Sequence, residues 1–330
     1  MTTRPAGTET AGGDVLWRER LFTTLQRRGA VVVLALVVAV SAVAFDNFLT
    51  AENLENIVLQ GAFLGMIVVG MTFVIISGGI DLSVGSMLGL GGVLAALTVE
   101  TFWPLALILP PLVCGLIGLG NGLLIAKARM APFIVTLAGL LGIRGLALAL
   151  ANEKPIGIDG GSPFAWFGQG QILGVAVPII FVVVAFVVGG VVLARTGYGR
   201  VIFAVGGSEE SARLMGLPVD RTKVIAYTVS GALAGLSGAL LAARLSAGDP
   251  NAGLAWELDA ISAVVVGGTL LTGGAGSMSG SLAGVLLLSI LQNLINQVGT
   301  LGSYAQQLVS GVFLIIVVVA QAYLTRKERL

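Results

Sequence analysis

Ser77-Gly-Gly-Ile-Asp-Leu-Ser83 is the stretch on which the reading of this chain turns. An apolar run, Gly61 to Ile76, precedes it, and another, Val84 to Val99, follows it. An aspartate therefore stands between two segments that belong in a membrane. At the centre of a membrane helix an Asp costs about 2.5 to 3.5 kcal/mol. The two glycines before it loosen the helix, and non-helical backbone at membrane depth survives only when buried in protein or lining a wet cavity. Gly78, Gly79 and Asp81 thus suit a break in a membrane helix that faces a path through the protein. They equally suit a short cytoplasmic turn between two spans, with Asp81 capping the second. The residue types alone leave both open.

The rest of the chain supports the membrane setting. Its 330 residues are 56% hydrophobic and only 11% charged, against about 25% charged in soluble domains, and its mean hydropathy is +0.99. The net charge of +1 gives no reason to expect a nucleic-acid partner. The 48 glycines let helices approach closely where no hydrophobic effect drives them together. Cys114, the one cysteine, sits in an apolar run, where it reads as a small packing residue and has no internal disulfide partner. Residues 1–29 carry Arg4, Arg18, Arg20, Arg27 and Arg28 and show no short apolar stretch with a cleavage site, so no removable signal peptide is expected there.

Two absences exclude whole classes of chemistry. The chain has no histidine, which removes Ser-His and Cys-His dyads, His-ligated metals and histidine proton relays. Gly276-Ser-Met-Ser-Gly280 looks like a serine-nucleophile turn, but nothing is present to activate it. None of Lys127, Lys154, Lys223 and Lys327 follows a glycine, so there is no Gly-Lys-Ser/Thr phosphate loop.

A span takes about 20 mostly apolar residues. The expected fold is an all-α polytopic membrane protein with about ten segments, eight to ten of them true spans: 30–45, 57–76, 84–99, 103–126, 132–151, 173–194, 224–243, 258–272, 280–298 and 304–324. The first, third and eighth are short, hence tilted, extended or re-entrant. Basic residues test the count, because they gather on the cytoplasmic side. With the Arg-rich N-terminus inside, Lys127 and Arg129, the loop 195–223 and the tail Arg326-Lys-Glu-Arg329 all fall inside. The loops 46–56 and 152–172 fall outside. Removing a middle span would put the 195–223 loop or the tail on the wrong side. Gly78-Gly79 before Gly85-Ser86 is similar to Gly267-Gly268 before Gly276-Ser277, a hint of a two-fold internal repeat that 48 glycines also offer by chance.

Within the 195–223 loop, Gly206-Gly207 break the chain and Ser208 suits a helix N-cap, with Glu209 and Glu210 favourable in the first turn. Gly216 suits the end, and Pro218 forbids continuation. This predicts a helix of about two turns with an apolar face of Ala212, Leu214 and Met215. So short a helix is unstable alone. It packs either on its own protein or on something else.

These stretches carry a family resemblance. Gly78-Gly-Ile-Asp-Leu-Ser-Val-Gly85 resembles the hallmark of the ribose-type sugar permeases of bacterial ABC importers. Val205-Gly-Gly-Ser-Glu-Glu-Ser-Ala-Arg-Leu-Met-Gly216 resembles their coupling-helix loop. Asn121-Gly122, Pro132-Phe-Ile-Val-Thr-Leu137 with Arg144-Gly145, and Glu257-Leu-Asp-Ala-Ile261 with Val266-Gly-Gly-Thr269 are similar as well. The likeness covers roughly residues 50–320. It implies a permease in a bacterial inner membrane; residues 1–29 lie outside the likeness, and the basic residues then divide the chain into a cytoplasmic segment 1–29, a permease domain 30–325 with the cytoplasmic loop 195–223, and a cytoplasmic tail 326–330. It implies that permeases work in pairs, as a second copy or a homologous partner, embedded in lipid. An extracytoplasmic binding protein delivers a pentose or hexose. A separate ATPase with two nucleotide-binding halves binds and hydrolyses the ATP, and the permease itself carries no cofactor. Under that resemblance Gly78, Gly79, Asp81, Ser83, Asn121 and Thr136 are candidates for the translocation pathway. Gly207, Ser208, Glu209, Glu210, Ala212, Arg213 and Gly216 are candidates for the ATPase contact. No catalytic or metal-ligating residue is expected. Arg144 reads as a structural anchor, snorkelling or paired with a loop carboxylate such as Glu153, and Glu257 and Asp259 read as helix-start residues. The competing reading is a transporter driven by an ion gradient, which would have no use for the docking helix.

Overall fold

The computed structural model of the protein describes residues 33–298 together with Val31, Leu308, Gly311 and Val312. The chain is built of helices. In order they are α1 (Val33–Ala44), α2 (Ala51–Ile76), α3 (Val84–Thr98), α4 (Trp103–Ala126), α5 (Pro132–Leu150), α6 (Trp166–Gln169), α7 (Val177–Arg195), α8 (Gly197–Gly207), α9 (Glu209–Leu214), α10 (Val219–Leu245), α11 (Trp256–Val266) and α12 (Met278–Val298). Among the described residues four two-residue strands occupy the loops: β1 (Ile156–Gly157), β2 (Gln171–Ile172), β3 (Val175–Ala176) and β4 (Ala247–Gly248). They form two antiparallel pairs, β1 with β4 and β2 with β3.

Helix starts follow from local chemistry. Thr50 caps α2 by accepting the Asn53 N–H at 3.3 Å, and α4, α5 and α7 each carry a proline in the first turn, where its missing N–H costs nothing. Nine of the ten expected segments fall on helices. The tenth, 304–324, lies almost wholly outside the described residues, as do the N-terminal segment and the tail. Among the described residues six helices are long and apolar enough to cross a membrane: α2, α4, α5, α7, α10 and α12. At 15 and 11 residues, α3 and α11 are shorter. At about 1.5 Å per residue α11 reaches about 16 Å, roughly half of a bilayer core.

Two helices form the centre. In α2, 94% of the most apolar window is buried, and it packs on α7, α10, α11 and α12. The other, α10, is less apolar and lies against α2, α3 and α4. Between Ser230 and Gly238 its buried residues are small: Ser230, Gly231, Ala234, Gly235, Ser237 and Gly238. Such a stripe lets backbones meet, and a Cβ on Gly91 of α3 would stand 2.9 Å from Gly235 Cα. The windows of α4, α5 and α7 are only 39%, 22% and 33% buried, so these helices turn apolar faces outward to lipid or to another chain.

The bundle has two distinct ends. At one, β1 and β4 tie the 152–172 loop to the loop after α10, and the Ile158 N–H donates to Ser246 O at 2.8 Å. At the other lie the α2–α3 break, the turn at Lys127–Arg129, α8 and α9, and the 267–277 turn. The two breaks share one cap. After α2, Gly78 has φ +82°, its N–H donates to Ile75 O at 2.9 Å, and the Gly79 N–H donates to Val74 O at 3.0 Å. After α11, Gly268 has φ +87°, with Gly268 N–H on Val265 O at 2.9 Å and Thr269 N–H on Val264 O at 3.2 Å. Both are Schellman caps. Gly78 therefore corresponds to Gly268, one residue off the pairing read from the glycine spacing, and the likeness is one of caps.

Candidate functional site

The Ser77–Ser83 break is packed inside protein. Asp81 and Ser83 have no accessible surface, whereas Gly78 is open. Asp81 Oδ1 accepts the Ser83 hydroxyl at 2.6 Å and the Ser83 N–H at 3.1 Å. Its Oδ2 accepts the Ser230 hydroxyl of α10 at 2.9 Å. Asn121 of α4 donates its amide to Ser83 Oγ at 3.2 Å. Tyr227 of α10 donates to Ile80 O at 3.2 Å, and Thr136 of α5 donates to Pro132 O at 2.8 Å with Ile80 O 3.4 Å away. Gly79 lies against the Tyr227 hydroxyl, where a Cβ would collide with it. The six candidate pathway residues are thus brought together by α3, α4, α5 and α10. Asp81, Ser83 and Asn121 bond to one another, and Thr136 and Tyr227 reach the Ile80 carbonyl, which knots the break to the bundle. A buried polar group left unbonded costs about 1 to 3 kcal/mol, and Asp81 satisfies several at once.

Beside the knot, three glycine segments meet backbone to backbone. The Gly274 N–H donates to Ile76 O at 3.0 Å, joining the 267–277 turn to the end of α2. A Cβ on Gly273 would stand 2.8 Å from Gly78 Cα, and one on Gly274 2.7 Å from Gly207 Cα. The breaks in the two helix pairs and the end of α8 therefore converge on a single junction, immediately before α9.

Helix α9 has the predicted limits. The Ser208 hydroxyl accepts the Ser211 N–H at 3.2 Å. Gly216 adopts φ +73° and closes a third Schellman cap, with Leu217 N–H on Ala212 O at 3.0 Å. Ala212 points inward, fully buried with Val205 and Val219. Glu209 holds the helix to the start of α10: it accepts from Arg213 at 3.0 Å and from Lys223 at 2.5 Å, while Arg213 also donates to Asp220 at 2.5 Å. Burial by itself would raise the Glu209 carboxyl, but the hydrogen bonds from Lys223 and Arg213 outweigh it and hold the group below the usual carboxylate range. Asp220, then Glu209, keep Arg213 above its ordinary value. Glu210 is exposed and unpaired among the described residues, and Gly207 is open. Leu214 and Met215 stand 84% and 66% exposed. The expected single apolar face of Ala212, Leu214 and Met215 is split: Ala212 turns inward to Val205 and Val219, while Leu214 and Met215 face out. Fixed in place by caps and ion pairs, they are the surface the helix offers.

Residues 53–318 match the family described as the permease component of branched-chain amino acid transport systems. The chain belongs to this permease family. Among curated relatives, the ribose import permease of Bacillus subtilis is 43% identical over 89% of this chain and 92% of its own. That of Haemophilus influenzae is 38% identical over 92% and 95%. The L-arabinose ABC transporter permease of Azospirillum brasilense is 36% identical over 94% and 92%. No solved structure matches the chain.

In this permease Arg144 has a different partner from the carboxylate considered above. It donates to the carbonyls of Pro250 and Ala252 and so fastens the loop before α11 across α3 to α5. Carbonyl partners leave no trace in a sequence pattern. Glu257 and Asp259 stand in the first turn of α11 as expected, though no side chain caps it and its N-cap Ala255 takes φ +66°. Asp259 also lines a cavity that no single segment could reveal.

The knot yields a direct test. Asp81→Ala strands the Ser83 and Ser230 hydroxyls and is expected to lower the melting temperature of the detergent-purified permease by several degrees, for about 1 to 3 kcal/mol lost. Asp81→Asn keeps the shape and most acceptors and should fall between. A thermal melt followed by tryptophan fluorescence reads the difference. An unchanged melt for Asp81→Ala removes the knot's structural role.

Proposed function

We propose that the chain is the membrane-spanning subunit of an ATP-driven importer that passes a monosaccharide, a pentose or hexose, into a bacterial cell. The observation that carries this is α9: a six-residue helix, clamped in place and displaying Leu214 and Met215 to whatever lies beyond the basic end of the bundle. An ion-gradient transporter gives such a helix no task. An ATPase subunit with two nucleotide-binding halves gives it one, and the relatives named for ribose and arabinose supply the class of cargo. In this reading Glu210 and Gly207 flank the ATPase contact, while Ser208, Glu209, Ala212, Arg213 and Gly216 hold the helix in shape.

The basic residues at the α9 end support a cytoplasmic position for it in an inner-membrane protein, a reading that has both termini on that side and about ten crossings. The opposite end then receives sugar from an extracytoplasmic binding protein. The outward apolar faces of α4, α5 and α7 accommodate lipid and a second permease, identical or homologous. Gly78, Gly79, Asp81, Ser83, Asn121 and Thr136 belong beside the inner part of the pathway, where their knot fixes the helix break.

The test is uptake of labelled pentoses and hexoses by cells that make the permease together with its ATPase and binding-protein subunits. Uptake is expected to stop when ATP is depleted and to continue when an uncoupler dissipates the ion gradient. The reverse pattern overturns the reading.

A further inference from the structure

Six threonines on the helices of this chain bond in one way. Thr72, Thr98, Thr136, Thr196, Thr222 and Thr228 each donate the hydroxyl to the carbonyl four residues back, at 2.6 to 2.8 Å. The preceding turn of helix supplies the acceptor, so the hydroxyl is satisfied without water. Thr269 is the exception. It has no accessible surface, and its Oγ1 is the one buried side-chain oxygen or nitrogen without a partner among the described residues. It faces Gly276, where a Cβ would stand 2.6 Å away. A buried hydroxyl left unbonded is a standing cost to the fold.

The cause is local. Helix α11 stops at Val266, so Thr269 has no helical turn beneath it. Its N–H bonds to Val264 O, five residues back, as the Schellman cap requires. Gly267 is still helical, at φ −63°. Gly268 alone departs, at φ +87°, a conformation that glycine enters and leaves without steric cost. With Gly268 returned to helical φ, the cap opens and α11 runs on through Thr269. The Thr269 N–H and hydroxyl then both donate to Val265 O, which is the pattern of the other six. The sequence favours the longer helix, because its apolar run continues through Leu270 and Leu271 to the next break at Gly273-Gly274.

Helix α2 supplies the contrast. Its cap has Gly78 at φ +82°, and the position of Thr269 is taken by Gly79, which has no side chain to satisfy. The Asp81 knot then pins the chain beyond it. Among the described residues no side-chain hydrogen bond holds 267–276. One break is tied and the other is loose.

We infer that α11 is a switch of two lengths: capped at Val266, as here, and extended through Thr269, with the Thr269 hydroxyl on Val265 O holding the longer form. Extension withdraws Gly268 and Thr269 from the turn and reorients the rest of it. The Gly274 N–H then leaves Ile76 O, and Gly274 leaves Gly207, the residue before the Ser208 N-cap of α9. The position of α9 and the length of α11 are thereby linked, and Thr269 is a positioning residue in that link. Its drive by an ATPase rests on the importer reading above; the two helix lengths do not.

The test uses the complete transporter, with spin labels on Lys127→Cys and Thr272→Cys. Both positions are exposed, and Cys114 is buried and stays unlabelled. Two label distances are expected, with the second gaining population when an ATP analogue is trapped on the ATPase. Thr269→Val removes the orphan from the capped form and the bond from the extended one. It should shift the balance about tenfold toward the capped distance and cut uptake roughly fivefold or more, while raising the melting temperature by about 2 to 4 °C. Thr269→Ser keeps the hydroxyl and should keep both distances and uptake. A single distance in every state overturns the switch. So does a lowered melting temperature for Thr269→Val, which would mean that the hydroxyl is already bonded in the capped form, and so does wild-type uptake by that variant. Uptake that survives ATP depletion overturns the importer reading and leaves the switch to be decided by the label distances.

Discussion

Replacing Leu214 and Met215 together by aspartate is expected to abolish uptake while leaving the permease folded in the membrane. Both side chains stand open, at 84% and 66% exposure, so the subunit alone loses no packing when they change. What is lost is the contact they make in the working assembly. Burying a large apolar side chain contributes about 1.5 to 3 kcal/mol. Losing two costs about 3 to 6 kcal/mol, a fall of roughly 10² to 10⁴ in affinity for the ATPase subunit. Co-purification of the ATPase and uptake should fail together, with the melting temperature unchanged. Ala212→Arg is the useful contrast. Ala212 is fully buried between Val205 and Val219, so an arginine there should unseat the helix and lower the melting temperature as well. Glu210→Arg changes an exposed, unpaired charge and should disturb only the contact. Normal uptake by the Leu214→Asp, Met215→Asp variant would sink the docking role of α9.

The second large effect is expected at the glycine junction, where Gly274→Leu should eliminate the folded permease. Gly274 sits at φ +77°, and a Cβ there would stand 2.7 Å from both Cα and N of Gly207. The left-handed backbone costs about 1 to 3 kcal/mol for a residue with a side chain, and overpacking adds about 1 to 3 kcal/mol. Nothing near Gly274 can give way by changing rotamer, because its neighbours are backbone. Gly207→Ala, on the other side of the same contact, should be harmless. A Cβ on Gly207 meets nothing within 4 Å, and alanine favours the helix by about 1 kcal/mol. Yield and melting temperature in detergent read both variants. A stable Gly274→Leu permease would mean that the segments do not meet as described.

How much of this was legible in the sequence varies with the physics of each element. The break at Ser77–Ser83 was, because paired glycines and an aspartate seldom stand between apolar runs unless the helix stops there. The limits of α9 were legible too, since Ser208, Gly216 and Pro218 act through their own backbone. The role of Asp81 was not. Path-lining and capping residues share one composition, and only the approach of Ser230 from 149 positions away shows that the carboxylate ties helices together. The junction of Gly78, Gly206 and Gly274 was hidden for the opposite reason: it is made without side chains, so no residue type advertises it. The partners of Arg144 were invisible because any residue supplies a carbonyl. The cavity around Asp259 needed four helices to close, and no segment carries its pattern alone. The match of Gly78 with Gly267 was off by one because spacing counts glycines, whereas the cap selects the one at positive φ.

The junction also has a mechanical side. Helix α2 is a rod of 26 residues, about 39 Å at about 1.5 Å per residue, held at its foot by the Gly274 N–H on Ile76 O. At its far end Asn53 accepts from Asn293 at 2.9 Å and Gln297 at 3.2 Å. A lever of that length turns a tilt of about 5° at the foot into about 3 Å of travel at the tip, the full length of a hydrogen bond. The Asn53 bonds to Asn293 and Gln297 are therefore the contacts that such a tilt would strain first.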